Sequence, residues 1–295
     1  MHFDIIVVGG SYSGIAAALQ IARARRNVLV IDAGIRRNRF ANATHGFLGQ
    51  DGRSPAAVAA DARTQLMAYP TVTWIGTTTK LARNDGHSFS IETADGQIYD
   101  AKRLVLATGI TDELPDIPGL KERWGKSVFH CPYCHGYELD NGRLGVLATS
   151  PLSIHQALLV PDWGTTTFFT NGAFEIDSEQ ADVLAARGVT LEKELVIEVT
   201  GDRADVKLQD GRTVTLDGLF TLPRTRPASP LAEQLGCAFD DGPLGPFIQT
   251  DATKQTTVPG VFACGDAARA MGSVSFAVGD GALAGASAHR SLIFQ

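Results

Sequence analysis

The hydrophobic pattern opens with Phe3-Asp4-Ile5-Ile6-Val7-Val8, an apolar run rich in β-branched residues, which stops at Gly9-Gly10-Ser11-Tyr12-Ser13-Gly14. Ile15-Ala16-Ala17-Ala18-Leu19 then opens a helix predicted to run to about Arg26, and Val28-Leu29-Val30-Ile31 is a second buried-strand run that ends at Asp32. Strand, glycine turn, helix, strand and acid form a βαβ unit of about 30 residues. An irregular stretch from Gly34 to Gly52 follows, and loops of that length tend to be functional or disordered. A helix is predicted from Pro55 to Met67. Residues 71–107 read as β-rich, with hairpin turns at Asn84-Asp85-Gly86 and Ala94-Asp95-Gly96.

A second α/β region is predicted over residues 120–240. Its strands are Leu144-Gly145-Val146-Leu147-Ala148 and Thr166-Thr167-Phe168-Phe169, and its helices start at Ser153 and at Ser178, the latter capped by Asp177. Asp210-Gly211 joins a hairpin. Near the end, Gly260-Val261-Phe262-Ala263-Cys264-Gly265-Asp266 reads as a strand entering a tight turn. A small-residue helix from about Gly279 to Leu292 closes the pattern.

The 295 residues suit two domains. With 44% hydrophobic and 20% charged residues, the composition excludes disordered, collagen-like and coiled-coil chains. The balance of 26 basic against 32 acidic residues, without a basic block, argues against a nucleic-acid partner. No apolar run is long enough to span a membrane. Met1-His2-Phe3-Asp4 does not open an export signal, so a cytoplasmic location is expected.

The first βαβ unit is the best-formed candidate site. Glycines let backbone N–H groups at a helix start approach a pyrophosphate, and an acid closing the second strand accepts hydrogen bonds from ribose hydroxyls. Here the frame is Gly9-x-Ser11-x-x-Gly14 with Asp32, serine standing where the middle glycine is usual. The motif predicts a dinucleotide without choosing between FAD and NAD.

Cys131-Pro132-Tyr133-Cys134 is the second candidate. Two cysteines at this spacing suit reversible disulfide chemistry, in which the thiolate is the reactive form. His135 follows directly and titrates in the range needed to take a thiol proton, and Glu138 is placed to orient it. Zinc usually needs a second ligand pair, and Cys237 and Cys264 stand apart from each other. Haem attachment fits poorly in a chain whose only methionines are Met1, Met67 and Met271. Cys237 and Cys264 read as structural; His45 and Phe47 are candidates for lining the substrate or flavin side, with packing of the long loop the favoured reading.

Taken together, Gly9 to Gly14, Ala107-Thr108-Gly109, the Cys131/Cys134 pair and Gly265-Asp266 occur in an order that resembles low-molecular-weight thioredoxin reductases over nearly the whole chain. The resemblance implies an α/β fold of two Rossmann-like, three-layer ββα domains. An FAD-binding domain would be formed by both termini (1–114 and 243–295), with a smaller inserted NAD(P)-binding-like domain (115–242) carrying the dithiol. It implies FAD contacts from Gly9, Ser11, Gly14, Asp32, Thr108, Gly109, Gly265 and Asp266, with Val278-Gly279-Asp280-Gly281-Ala282 opening a helix toward the flavin. A homodimer is also implied.

Three departures from that family stand out. His135 replaces its aspartate after the second cysteine. Ala148-Thr149-Ser150-Pro151-Leu152-Ser153 replaces its second glycine turn, and Thr170-Asn171-Gly172-Ala173-Phe174-Glu175 replaces its His-Arg-Arg clasp for the 2′-phosphate. A phosphate dianion without a fixed cation is poorly held, so NADPH binding in the usual mode is not expected. Cys131-Pro132-Tyr133-Cys134-His135 looks like the flavin-dependent dithiol oxidases that close disulfides in gliotoxin and holomycin. The resemblance implies Cys131 as the exchanging sulfur, Cys134 as the sulfur nearer the flavin and His135 as base. Substrate oxidation with oxygen as acceptor is the favoured direction, acting on a small dithiol. The alternatives are reduction of a thioredoxin-like protein, driven by NADPH or another donor, and a flavin redox sensor without turnover.

Overall fold

In the computed structural model, which describes residues 2–294, the chain forms two compact units. The first takes the chain up to Arg39, Ser54–Thr111 and the part from Thr225 onward; the second takes Phe40–Arg53 and Asp112–Arg224.

The first unit is built on parallel strands in the order Val72–Ile75, Val28–Ile31, His2–Val8 and Ile98–Leu106. The last part of Ile98–Leu106 pairs with Val261–Ala263 in parallel, and its first part pairs with an antiparallel hairpin of Phe89–Thr93 and Thr79–Asn84. Strands covered on both faces read as unbroken apolar runs, which is why 5–8 and 28–31 are continuously hydrophobic. Alternate residues serve opposite faces: Ile5, Val7, Val28 and Val30 meet Ile15, Ile21 and Ala284, while Ile6, Val8, Leu29 and Ile31 meet Phe89, Ile91 and Leu231.

The helix Tyr12–Arg23 packs against the helix Val274–Arg290. A Cβ on Gly281 would collide with the Ser13 carbonyl, and one on Gly285 with the Ala17 carbonyl, so these glycines let the two backbones touch. The closing helix begins earlier than the sequence predicts. Ser273 caps it, its hydroxyl accepting from the Phe276 N–H at 3.1 Å. Residues 278–282 therefore lie inside the helix and do not form its N-terminus. The glycines suggest a late start by propensity alone, but here they serve helix–helix contact.

The second unit has a parallel sheet in the order Thr190–Glu192, Gly164–Phe169, Asn141–Leu147, Gly218–Thr221 and Val128–Phe129. A small antiparallel sheet of Val196–Thr200, Asp205–Leu208 and Thr213–Val214 adjoins it. The helix Ser178–Ala186 starts with the predicted Asp177 cap, completed as a capping box by Gln180. The edge strand Val128–Phe129 leads into a one-turn helix, Pro132–His135, that carries the cysteine pair. Among the described residues no helix is long and apolar enough to cross a membrane.

Candidate active site

In the first unit, the strands His2–Val8, Val28–Ile31, Ile98–Leu106 and Val261–Ala263 run parallel and end level with one another: Val8 faces both Ile31 and Leu106, and Leu106 faces Ala263. The turns that follow, with Gly9, Asp32, Thr108 and Gly265, therefore share one end of the sheet, the end at which such folds take their ligands. Gly9 has φ +101°, and a Cβ there would collide with the Ala107 carbonyl; one on Gly14 would collide with the Gly9 carbonyl. The turn is thus pressed backbone on backbone. Asp32 is tied to it, its Oδ1 accepting from the Gly10 N–H at 3.0 Å. Ser11 stands at the N-cap of the helix Tyr12–Arg23 without capping it through its side chain, which leaves the positive helix end for an anion.

The start of the long loop closes over this helix end. The Asn38 amide Nδ2 donates to the Tyr12 hydroxyl at 3.2 Å, and that hydroxyl donates to the Pro55 carbonyl. Asn38 Oδ1 and Arg36 Nε are buried without a protein partner. A buried acceptor and donor beside a glycine turn and a free helix end fit a ligand that carries both phosphates and hydroxyls, as FAD does. Asp266 lies in a short 3-10 turn, Gly265–Ala268, and its Oδ2 accepts from Arg37 Nη1 at 3.0 Å. Gly265 has φ +67° and rests against the Ser13 side chain. Gly109 also has positive φ, +68°, with open space where a Cβ would stand.

In the second unit, Cys131 and Cys134 are joined as a disulfide with Cα atoms 5.3 Å apart, and both are half-buried. The His135 imidazole stacks on Phe129, ring centroids 4.3 Å apart. Burial, reinforced by nearby His45, lowers its pKa to about 4, so the ring is in its neutral form at neutral pH. Glu138 does not pair with His135. Its carboxylate lies 3.4 Å from Nε2 of His45, whose Nδ1 is 3.7 Å from Asp51. The loop residue read as packing thus belongs to the charged surroundings of the dithiol. Tyr133 is exposed and meets Trp163 edge to face, and Trp163 also packs under Gly136.

At the position of a second glycine turn, the buried Ser153 hydroxyl accepts from the Thr149 N–H at 3.0 Å and the Ser150 N–H at 3.5 Å. N–H groups that would face a phosphate in a dinucleotide turn are satisfied by the chain's own side chain. Three residues on, Gln156 donates from Nε2 to the carbonyl of His130 at 2.7 Å, bracing the backbone just before Cys131. Cys237 and Cys264 are free and buried. Burial pushes the Cys264 thiol up to about 12 and raises that of Cys237, so both are inert at neutral pH.

Arg37, Asn38, Tyr12, His45, Gln156 and Ser153 are the site residues that pattern reading misses. The long loop was the available signal for Arg37, Asn38 and His45, the three that lie between Gly34 and Gly52. Nothing in the sequence marks Gln156 or Ser153, whose partners are set by tertiary packing.

Comparison with known proteins agrees with this geometry. The family described as pyridine nucleotide-disulphide oxidoreductase matches residues 3–160 and 166–281. The chain is 34% identical over 304 residues to "Thioredoxin reductase tcpT" of Claviceps purpurea, covering 98% of this chain and 94% of that protein. The solved oxidoreductase from Agrobacterium tumefaciens is 56% identical, with TM-score 0.97 over 100% of this chain and 99% of its own. The structure of HlmI is 35% identical, with TM-score 0.93 over 99% and 93%. Thioredoxin reductase-like members of this family are FAD-binding flavoproteins. A fused pair of dinucleotide-type units, one with the FAD-fitting glycine turn and one with a Cys-x-x-Cys disulfide, places the chain in the pyridine nucleotide-disulphide oxidoreductase family as a thioredoxin reductase-like flavoprotein disulfide oxidoreductase.

Proposed function

We propose that the enzyme oxidises a small substrate dithiol to a disulfide, with oxygen as the final acceptor. Bound FAD supplies the two-electron acceptor for the cysteine pair. Gly9, Ser11, Gly14 and the helix end at Tyr12 hold its pyrophosphate, Asp32 its adenosine ribose, and Thr108, Gly109, Gly265 and Asp266 its ribityl and flavin side. Cys131 exchanges with substrate, Cys134 is the sulfur that faces the flavin, and His135 takes the thiol proton.

The observation that carries the direction is the Ser153 hydroxyl seated on the N–H groups of Thr149 and Ser150. A turn already satisfied by its own serine offers little to a nicotinamide dinucleotide's pyrophosphate, so electrons are expected to enter from thiols. The test is anaerobic mixing of the holoenzyme with dithiothreitol or with NADPH. Bleaching of the yellow flavin by the dithiol, and not by NADPH, is expected; rapid bleaching by NADPH overturns the direction.

The name of the Claviceps relative, a thioredoxin reductase, favours a second reading, reduction of a thioredoxin-like protein. The same experiment separates the two, because a reductase of that kind is bleached by its nucleotide donor.

A further inference from the structure

A dithiol that cycles must keep its two sulfurs within reach of each other in both states. While the disulfide is closed, the S–S bond holds them. Once a substrate dithiol has opened it, two thiols result, and the backbone alone keeps them together. The reduced pair re-forms its S–S bond as two electrons pass to the oxidised flavin and two protons leave sulfur. Cys134 is well secured for that step. Its N–H donates to the Cys131 carbonyl at 3.2 Å, the Gly136 N–H donates to the Pro132 carbonyl at 2.7 Å, and Trp163 packs under Gly136. Cys131 stands just outside this turn, at its N-cap, with extended backbone (φ −111°, ψ 107°).

Its hold comes from upstream. The strand Val128–Phe129 is paired with Leu219 and Phe220, and one residue, His130, separates it from Cys131. The peptide joining His130 to Cys131 is planar, so its orientation sets that of the Cys131 Cα. Gln156 Nε2 grips the carbonyl of this peptide at 2.7 Å. Gln156 reaches it from the middle of the helix Ser153–Leu159 and is 3% exposed. Its other amide atom, Oε1, is buried without a partner among the described residues. A buried acceptor left unpaired carries a cost. Reversing the amide would set Oε1 against the His130 carbonyl, acceptor on acceptor. The side chain is thus committed to one bond, and that bond falls on the residue before the exchanging sulfur.

Resting on the role of Cys131 as the exchanging sulfur, we propose that Gln156 is a positioning residue that holds Cys131 beside Cys134 in the reduced state. It acts through the His130–Cys131 peptide. With this clamp in place the two thiols keep a high effective concentration, so closure of the disulfide and delivery of electrons to the flavin are favoured. Without it, the Cys131 backbone drifts once the pair is reduced. The disulfide then becomes easier to open and slower to re-form. Attack of a substrate thiolate on the closed disulfide is not slowed, because the S–S bond itself fixes both sulfurs at that stage.

The test is the redox equilibrium of the pair in the holoenzyme, set anaerobically with mixtures of reduced and oxidised dithiothreitol. Alkylation after acid quench, read by mass, counts open pairs above the free thiols of Cys237 and Cys264. Gln156→Met removes the amide, and Gln156→Asn keeps it one methylene short; whichever folds, judged by circular dichroism, decides. Either is expected to shift the pair about tenfold toward the dithiol, which is about 30 mV. Flavin bleaching by dithiothreitol should slow about tenfold, while disulfide opening, followed by rapid quench, keeps its wild-type rate. Ala157→Gly weakens the same helix but leaves the amide in place, so it should not move the equilibrium. An unmoved equilibrium in a folded Gln156 variant overturns the proposal, and so does an equal shift in Ala157→Gly. If dithiothreitol opens the pair but fails to bleach the wild-type flavin, the dithiol-oxidase reading fails instead, and the equilibrium shift still decides the role of Gln156.

Discussion

Arg37 Nη1 donates to Asp266 Oδ2 at 3.0 Å, joining the long loop to the turn after the last strand of the first unit, across 229 residues of sequence. Both side chains are about one-fifth exposed. The pair is partly shielded from water, so it outweighs a surface ion pair without carrying the full cost of burial. It fixes the loop next to Asn38, whose amide donates to the Tyr12 hydroxyl at the start of the first helix. Arg37→Met is expected to loosen FAD about tenfold, or ~1.4 kcal/mol, measured as flavin released on dilution. Arg37→Lys should recover only part of that affinity, because a single ammonium does not reproduce the planar fork.

The thiol inventory gives a sharper test of the redox pair. Cys131 and Cys134 are joined, while Cys237 and Cys264 are buried with raised thiol pKa values. Native protein should therefore show no thiol that reacts quickly with Ellman's reagent. Anaerobic treatment with a mild reductant should expose two, and denaturation all four. Four reactive thiols in the native reduced protein would contradict the burial of Cys264.

Much of the first unit was legible in the sequence, because its strands are buried on both faces and its helix is punctuated by glycine. The helix Pro55–Met67 falls where it was predicted. The closing helix was misjudged because glycine carries two meanings: Gly279 and Gly281 look like a helix start, yet Gly281 lies inside a helix capped at Ser273 and touches Ser13. At the dithiol, residue types were legible and partnerships were not. Glu138 stands at a spacing that suggests His135, but a one-turn helix followed by the 3-10 turn Tyr137–Leu139 aims it at His45 instead. Such choices are made by a loop 90 residues away in sequence, roughly, and no local pattern encodes them.

The lowered pKa of His135 makes a statement about stability against pH. Its folded value is about 4, against an ordinary 6.5, so between those values the unfolded chain binds a proton that the folded protein refuses. The sign is fixed: the contribution is whole above pH 6.5 and is lost as pH falls toward 4. The full shift corresponds to ~3 kcal/mol, and for a half-buried ring about 1–2 kcal/mol is the expected share. His135→Asn should consequently lose less stability than wild type between pH 7 and pH 5 in urea unfolding. Parallel curves for the two proteins would show that the imidazole titrates normally.

Asp280 is a buried carboxylate in the first unit. It is 7% exposed, lies in the second turn of the closing helix, and accepts from Arg269 Nη1 at 3.0 and 3.1 Å and from Lys254 Nζ at 2.9 Å. Lys254 is itself only 14% exposed. Removing a buried partner leaves the remaining cations without compensation, which costs roughly 3–5 kcal/mol, more than the pair contributes in place. Asp280→Asn keeps the shape and removes the charge, so it isolates that effect. Its thermal unfolding midpoint should fall by about 10 °C. Adding Lys254→Met to Asp280→Asn should restore part of the loss, because one stranded cation is gone; the coupling between the two substitutions then measures the pair. Additive losses in that cycle would mean that Asp280 is held by Arg269 alone.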